Sequence, residues 1–251
     1  MTRWKLIVEY DGSGFSGWQR QAHAFSAQQA LEDAVFAFSG ERVTLHVAGR
    51  TDTGVHARAN VAHMDLEKKT DGETVRDAVN YHLRPHHVSV LAAEEVSEEF
   101  HARFDARWRS YRYRILCRRA PPALEAGRVW HVRKALDVEA MREAAAILIG
   151  HHDFSTFRAS ACQANSPMRT LDQLDIWLDE EREEVVLATR ARSFLYHQVR
   201  NMVGTLALVG GGQWTLDDFR EAFAACDRRA GGPTAPAQGL AFWEVGYDSS
   251  A

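Results

Sequence analysis

Val43, Leu45 and Val47 alternate with polar residues, and the alternation returns from Asn60 to Leu66, with Val61, His63 and Asp65 on one face and Ala62, Met64 and Leu66 on the other. A period of two predicts half-buried strands, here over 43–48 and 61–66. A strand pattern over Trp4–Tyr10 precedes them, then a helix over Ala27–Phe38 with Ser26 as N-cap, Gln29 as capping-box partner and Gly40 just past its end. A helix over Val75–Leu83 and a strand over Val88–Val96 complete the order β-α-β-β-α-β. The later chain repeats it. Ser110–Leu116 reads as a strand, Val138–Ile149 as a helix capped by Asp137, and Leu171–Leu178 with Val185–Ala191 as a hairpin across an acidic turn. The apolar run 197–209 reads as a helix ending at Gly210-Gly211-Gly212, followed by a helix over Leu216–Cys226 and a last strand over Leu240–Tyr247. The predicted class is therefore α+β: two pseudo-duplicated ferredoxin-like halves, 1–100 and 101–251, whose antiparallel sheets join across a central cleft.

Composition narrows the setting. A chain of 251 residues buries roughly 70–75% of its unfolded surface, enough to fold without a disulfide or metal staple. The three cysteines, Cys117, Cys162 and Cys226, are odd in number and widely spaced, and no C-x-x-C pair occurs. No metal site is expected. No apolar signal region opens the chain and no apolar run approaches the ~20 residues of a membrane span, so the expected location is the cytoplasm, with no membrane partner. The net charge of −4 argues against a nucleic-acid partner until its distribution is considered. Arg103, Arg107, Arg109, Arg112, Arg114, Arg118 and Arg119 interleave with Trp108, Tyr111 and Tyr113, a basic and aromatic stripe suited to a phosphate backbone. Acidic residues gather elsewhere, around Glu94–Glu99 and from Asp179 to Glu184.

One loop carries the candidate chemistry. Gly49-Arg50-Thr51-Asp52-Thr53-Gly54 joins the two alternating strands and sets a single carboxylate between glycines and arginines. Loops on rigid strands hold reactive groups well. Gly12-Ser13-Gly14-Phe15-Ser16-Gly17 matches the dinucleotide fingerprint G-x-G-x-x-G, but the helix that should open directly after it starts only near Ala27. That context disfavours a nicotinamide-dependent oxidoreductase, which stays a third reading that cofactor titration would reveal, and the loop is read as presenting Trp18 and Arg20 to RNA. Zinc-dependent base deamination would need H-x-E and P-C-x-x-C, and neither is present. Arg200 falls in the apolar helix beside Val199, Met202 and Val203, where a cation requires a partner.

The run Gly49–Ala57 followed by Val61-Ala62-His63 resembles the catalytic motif of the TruA family of tRNA pseudouridine synthases. Tyr10–Gln21, Phe100–Asp105 with Tyr111-Arg112-Tyr113, Ser193–Gly204 and Ala235–Leu240 resemble the same family, in its order and over nearly the whole chain. Ala59-Asn60 stands where the family more often has Gly-Gln. The resemblance implies a pseudouridine synthase fold and an isomerase that converts uridine to pseudouridine at tRNA positions 38, 39 and 40, in the anticodon stem-loop. It makes Asp52 the catalytic carboxylate, acting as nucleophile or as base. Arg200 becomes its ion-pair partner, Tyr111 the ring against the target uracil, and Arg50 the residue that fills the stack the uridine leaves. Arg107 and Arg109 belong to the expected RNA contacts. A homodimer is implied, and no cofactor, because substrate and product have the same atoms and oxidation level. The other reading is a catalytically silent RNA-binding protein on the same scaffold.

Overall fold

Strand β1 (Thr2–Tyr10) buries Trp4, Leu6, Val8 and Tyr10, every second residue, as a strand with one face on a core must. The computed structural model describes residues 1–248, so the last three positions of the expected 101–251 half fall outside the described residues. After β1 come α1 (Ala27–Ser39), β2 (His46–Val47), β3 (His56–Leu66), α2 (Gly72–Leu83) and β4 (Val88–Val96). The Ser26 side chain accepts from the Gln29 amide, and Gly40 closes α1 at φ 77°, a left-handed geometry that suits glycine. Helix α2 starts three residues before the expected Val75, because Asp71 caps it by accepting from the Thr74 amide at 2.9 Å. Val75, Val79 and Leu83 then form its buried stripe.

The later elements are β5 (Trp108–Cys117), β6 (Trp130–Val132), α3 (Val138–Ala146), β7 (Gly150–Asp153), β8 (Met168–Asp179), β9 (Glu184–Ala191), α4 (Gln198–Gly210), α5 (Leu216–Ala224) and β10 (Leu240–Gly246). Helix α3 stops short of Ile149: the amides of Ile147 and Leu148 bond three residues back, and Gly150 at φ 106° turns the chain into β7. Two short strands, β6 and β7, add to the expected set.

Two compact units form, Met1–Arg109 with the chain from Ala241 onward, and Ser110–Leu240. In the first, β1 lies between β3 and β4, antiparallel to both, with Leu6 opposite Ala62 and Ala93. β2 pairs with the other side of β3 through His46–His63 and Val47–Ala62, giving the ferredoxin-like order β4-β1-β3-β2. β10 runs parallel to the start of β3, with Phe242 beside Ala57. The second unit has the order β5-β9-β8-β7, with β6 on β5. The described residues thus form a mixed α+β fold with mostly antiparallel strand pairs and five α-helices. Strand β2 is shorter than the expected 43–48 because the Leu45 amide leaves the ladder for Oε1 of Glu32, at 3.1 Å. No helix among the described residues is long and apolar enough to cross a membrane.

Candidate active site

The loop between β2 and β3 is tied down at Ala48, Gly49, Thr51, Asp52 and Val55. The Ala48 amide donates to Val61 O at 2.8 Å, and Nδ2 of Asn60 donates to Gly49 O at 2.8 Å. Thr51 Oγ1 shares a 2.7 Å hydrogen bond with the Tyr10 hydroxyl, and Thr51 O accepts from the Trp18 amide at 3.0 Å. Asp52 O then accepts from Val55 N at 3.1 Å, closing a tight turn in which Gly54 takes φ 77°. Asp52 itself is half-buried at the apex. Its carboxylate rides on a backbone with little freedom to move.

Tyr10 and Asn60 escaped the sequence reading, although they form the floor of this loop. Asn60 is fully buried, and its Nδ2 also lies 3.5 Å from the Tyr10 hydroxyl. Burial pushes the Tyr10 phenol up to about 12, partly offset by its bonds to Thr51 and Asn60, so it stays a neutral hydroxyl at any physiological pH. The one visible signal was Asn60 itself, a polar residue opening the alternating stretch Asn60–Leu66.

The glycine run serves the same loop. A Cβ on Gly12 would lie 2.2 Å from Val55 O, and one on Gly17, which sits at φ 84°, would lie 2.7 Å from Thr51 O. Those two glycines let the segment press its backbone on the Asp52 turn, whereas Gly14 has nothing within 4 Å. Trp18 follows directly and is buried, 1% exposed, its ring 5.8 Å from Tyr10. Arg20 is more exposed but pairs with Glu32 at 2.9 Å and Asp33 at 3.5 Å. In this fold Trp18 supports the loop from beneath; it does not present its ring to solvent.

Arg50, next to Asp52 in sequence, is exposed. Arg109 is half-buried and donates to three backbone carbonyls, Ala48 at 3.0 Å, Arg103 at 2.5 Å and Ala106 at 3.4 Å. It staples the N-terminal side of the Asp52 loop. Arg107 pairs with Asp248 through Nε at 2.8 Å and remains largely exposed. Much of the rest of the arginine stripe is also engaged within the protein: Arg112 lies over Trp177, Arg114 is bidentate on Glu184 at 2.7 Å, and Arg118 reaches Glu183 at 3.4 Å.

Tyr111 and Arg200 belong to the second unit. Tyr111, on β5, meets Phe194 edge-to-face with centroids 5.1 Å apart. Arg200, half-buried in the first turn of α4, exchanges bonds with Ala235: its Nε donates to Ala235 O at 2.8 Å, and its own carbonyl accepts from Ala235 N at 3.1 Å. The 233–240 segment can lie this close because a Cβ on Gly204 would meet Pro233 O at 1.8 Å and one on Gly239 would meet the Tyr113 ring at 2.6 Å. The Tyr113 hydroxyl donates to Pro236 O at 2.7 Å, and burial raises its pKa. Within the Ala235–Leu240 motif, Ala235 O holds the Arg200 Nε and Pro236 O holds the Tyr113 hydroxyl. Among the described residues no group of three His, Cys, Asp or Glu side chains converges as metal ligands.

Comparison with known proteins bears on the whole chain. A family model described as tRNA pseudouridine synthase matches residues 6–105 and 144–248. The tRNA pseudouridine synthase A of Rhodospirillum centenum is 59% identical over 247 residues, 98% of this chain and 100% of that protein. The protein of the same name from Paramagnetospirillum magneticum is 58% identical over 250 residues, 100% of this chain and 97% of its own, and that of Rhodospirillum rubrum is 54% identical over 247 residues, 98% and 88%.

Proposed function

The chain belongs to the tRNA pseudouridine synthase family, and on that premise we propose how its residues carry out the isomerisation of uridine to pseudouridine in tRNA. The observation that carries the proposal is Asp52, a single carboxylate at the apex of a loop held by Asn60, Tyr10, Trp18 and Arg109. The reaction breaks the N1–C1′ bond of uridine, turns the base, and joins C5 to C1′; the C5 hydrogen is lost and N1 gains one. Attack by Asp52 on the sugar and removal of the C2′ proton by Asp52 both start from the ionised carboxylate. Arg200 is its counter-charge by family resemblance, with its Nε held by Ala235 O. Tyr111 lies against the uracil, and Arg50 occupies the stack the flipped uridine leaves, as a guanidinium plane can.

The catalytic loop belongs to the half 1–100, and Tyr111 and Arg200 to the half 101–251. Targets at positions 38, 39 and 40 of the anticodon stem-loop, a homodimer in which each tRNA touches both subunits, and a cytoplasmic location complete the reading, all from family resemblance. Sedimentation at micromolar concentration tests the dimer: a species of 28.3 kDa would count against it.

The decisive experiment uses tRNA transcript tritiated at uracil C5. Wild-type protein releases the label as C5 bonds C1′. Asp52→Asn keeps the shape of the side chain without its charge, so tRNA affinity stays within about tenfold, ~1.4 kcal/mol, while release becomes undetectable. Release by an Asp52→Asn protein shown not to have deamidated overturns the site. Absence of release by wild type favours the catalytically silent RNA-binding protein.

A further inference from the structure

Beside Arg50, within the first unit, lies a cavity of about 350 Å³. Its volume is in the roughly 300–1,000 Å³ range of small-ligand sites. Arg50, Arg103, His46, His101, Phe104 and Gln19 contribute to its walls, whereas Asp52 does not, so it is a chamber separate from the reacting carboxylate. The described residues that line it include no Asp and no Glu, in a chain of net charge −4. The wall therefore favours an anion.

Its aromatic edge is continuous. Phe104 is 72% exposed, its ring 4.3 Å from that of His101, which in turn lies 5.6 Å from His46. A phenylalanine this exposed contributes little to the core; the Arg103 guanidinium lies over its ring at 5.8 Å, and the ring surface left exposed is a platform for a planar ligand. His101 Nδ1 accepts the backbone amides of Arg103 at 3.2 Å and Phe104 at 3.4 Å, which places the proton of the neutral ring on Nε2. Burial and the nearby His46 lower the His101 pKa, so near neutrality the ring stacks as an uncharged donor. Two guanidiniums, a row of flat rings and an exposed Gln19 amide match the phosphate, face and edge of one nucleotide.

We propose that this cavity is a second nucleotide subsite, taking an unstacked nucleotide of the tRNA substrate that flanks the target uridine, stacked on Phe104 and His101 with its phosphate between Arg50 and Arg103. The proposal rests on the synthase reading, since Arg50 at the vacated stack is what brings a flanking nucleotide within reach. It involves no covalent step.

The test uses anticodon stem-loops carrying 2-aminopurine singly at the nucleotides either side of the target uridine, with wild type, Phe104→Ala and Phe104→Tyr. The expected result is quenching of one probe by wild type, lost with Phe104→Ala and kept with Phe104→Tyr. Loss of one stacking platform should raise the Kd for unmodified tRNA transcript at least about fivefold, and KM should rise by a larger factor than kcat falls. The tyrosine variant should stay within about twofold of wild type, a rescue that a merely structural role would not require. Equal quenching and equal Kd for wild type and Phe104→Ala, with tritium still released by wild type, overturn the subsite and leave the synthase standing. No tritium release by wild type overturns the synthase reading and the subsite that rests on it.

Discussion

Two connections that each join an antiparallel strand pair carry acidic residues, and they have opposite characters. One joins β2 to β3 and carries Asp52; the other joins β8 to β9 and carries Glu180, Glu181 and Glu183, all exposed. The second is a minimal turn. Glu183 takes φ 55°, its amide bonds Glu180 O at a long 3.4 Å, and its carbonyl accepts from Cys117 N. The buried acid nearby, Glu184, has both oxygens on Arg114 and is a structural ion pair. The first connection is longer; Trp18, Asn60 and Arg109 hold its backbone and Tyr10 holds the Thr51 side chain. On the proposed reading, the Asp52 carboxylate differs from the solubilising ones in the order imposed on the chain beneath it. That order is what makes Asp52 fit for geometry-dependent chemistry.

The glycine run offers the strongest way to break this contrast. Gly17→Ala places a Cβ 2.7 Å from Thr51 O on a residue at φ 84°. Left-handed strain and overpacking together should cost about 2–5 kcal/mol, and displacement of the Asp52 turn should lower tritium release at least about a hundredfold. Gly12→Ala, 2.2 Å from Val55 O, should behave alike. Gly14→Ala meets nothing within 4 Å and should melt and turn over like wild type. If Gly14→Ala were as damaging as Gly17→Ala, the run would be serving a ligand and not the loop.

Acid should also separate the two hairpins. His63, on β3, is 3% exposed, and burial with the charges of His101 and His46 pushes its ring down to about 4. The unfolded chain takes up that proton near pH 6.5, so the stability from the neutral ring is full above 6.5 and is lost as pH falls toward 4, up to about 3 kcal/mol. His63→Asn keeps an acceptor for the Ala102 amide and should flatten this slope. Amide protection factors measured from pH 7 to 4.5 should fall on β3 before β9, since 168–191 contains no histidine. Equal loss on both, or a slope unchanged in His63→Asn, would remove His63 as the cause.

Tyr10→Phe sharpens the comparison at smaller scale. It leaves the Thr51 hydroxyl without its phenol partner in a buried site, a loss of about 1–2 kcal/mol. Turnover should fall more than tRNA affinity does, because the loop loosens while the RNA contacts remain. A melting temperature and kcat equal to wild type would show that Thr51 is held by its backbone bond alone.

Most elements were legible because their signals are local. β4 follows its pattern over Val88–Val96, and α1 runs from the Ser26 cap to Gly40, since caps and periodicity act within one turn. β6 and β7 were not legible: at three and four residues they carry too few positions to show a period, and they exist by pairing with β5 and β8. Asp52 could be found because its motif is contiguous. Tyr10 and Asn60 could not, since their contacts depend on the β1–β3 register, which sets Val8 opposite Asn60 across some fifty residues of chain. The internal partners of the arginine stripe were hidden for the same reason. Sequence showed seven cations, while the carbonyls taken by Arg109 and the carboxylates of Glu184 and Glu125 beside Arg114 lie far along the chain.

The smallest expected effect is on the β8–β9 turn, and it is the control that gives the contrast its meaning. Glu181→Gln removes one unit of negative charge, the same change as Asp52→Asn, from the other of the two connections. Glu181 is exposed and sits among Glu180 and Glu183, so its loss slightly relieves repulsion in high dielectric. The neighbouring pairs, Arg118 with Glu183 at 3.4 Å and Arg182 with Asp179 at 3.8 Å, do not involve it. Stability should therefore shift by less than about 0.5 kcal/mol, and tritium release should match wild type within error. A tenfold loss of release in Glu181→Gln, with the melting temperature unchanged, would bring this turn into the chemistry and end the claim that backbone order separates the two carboxylates.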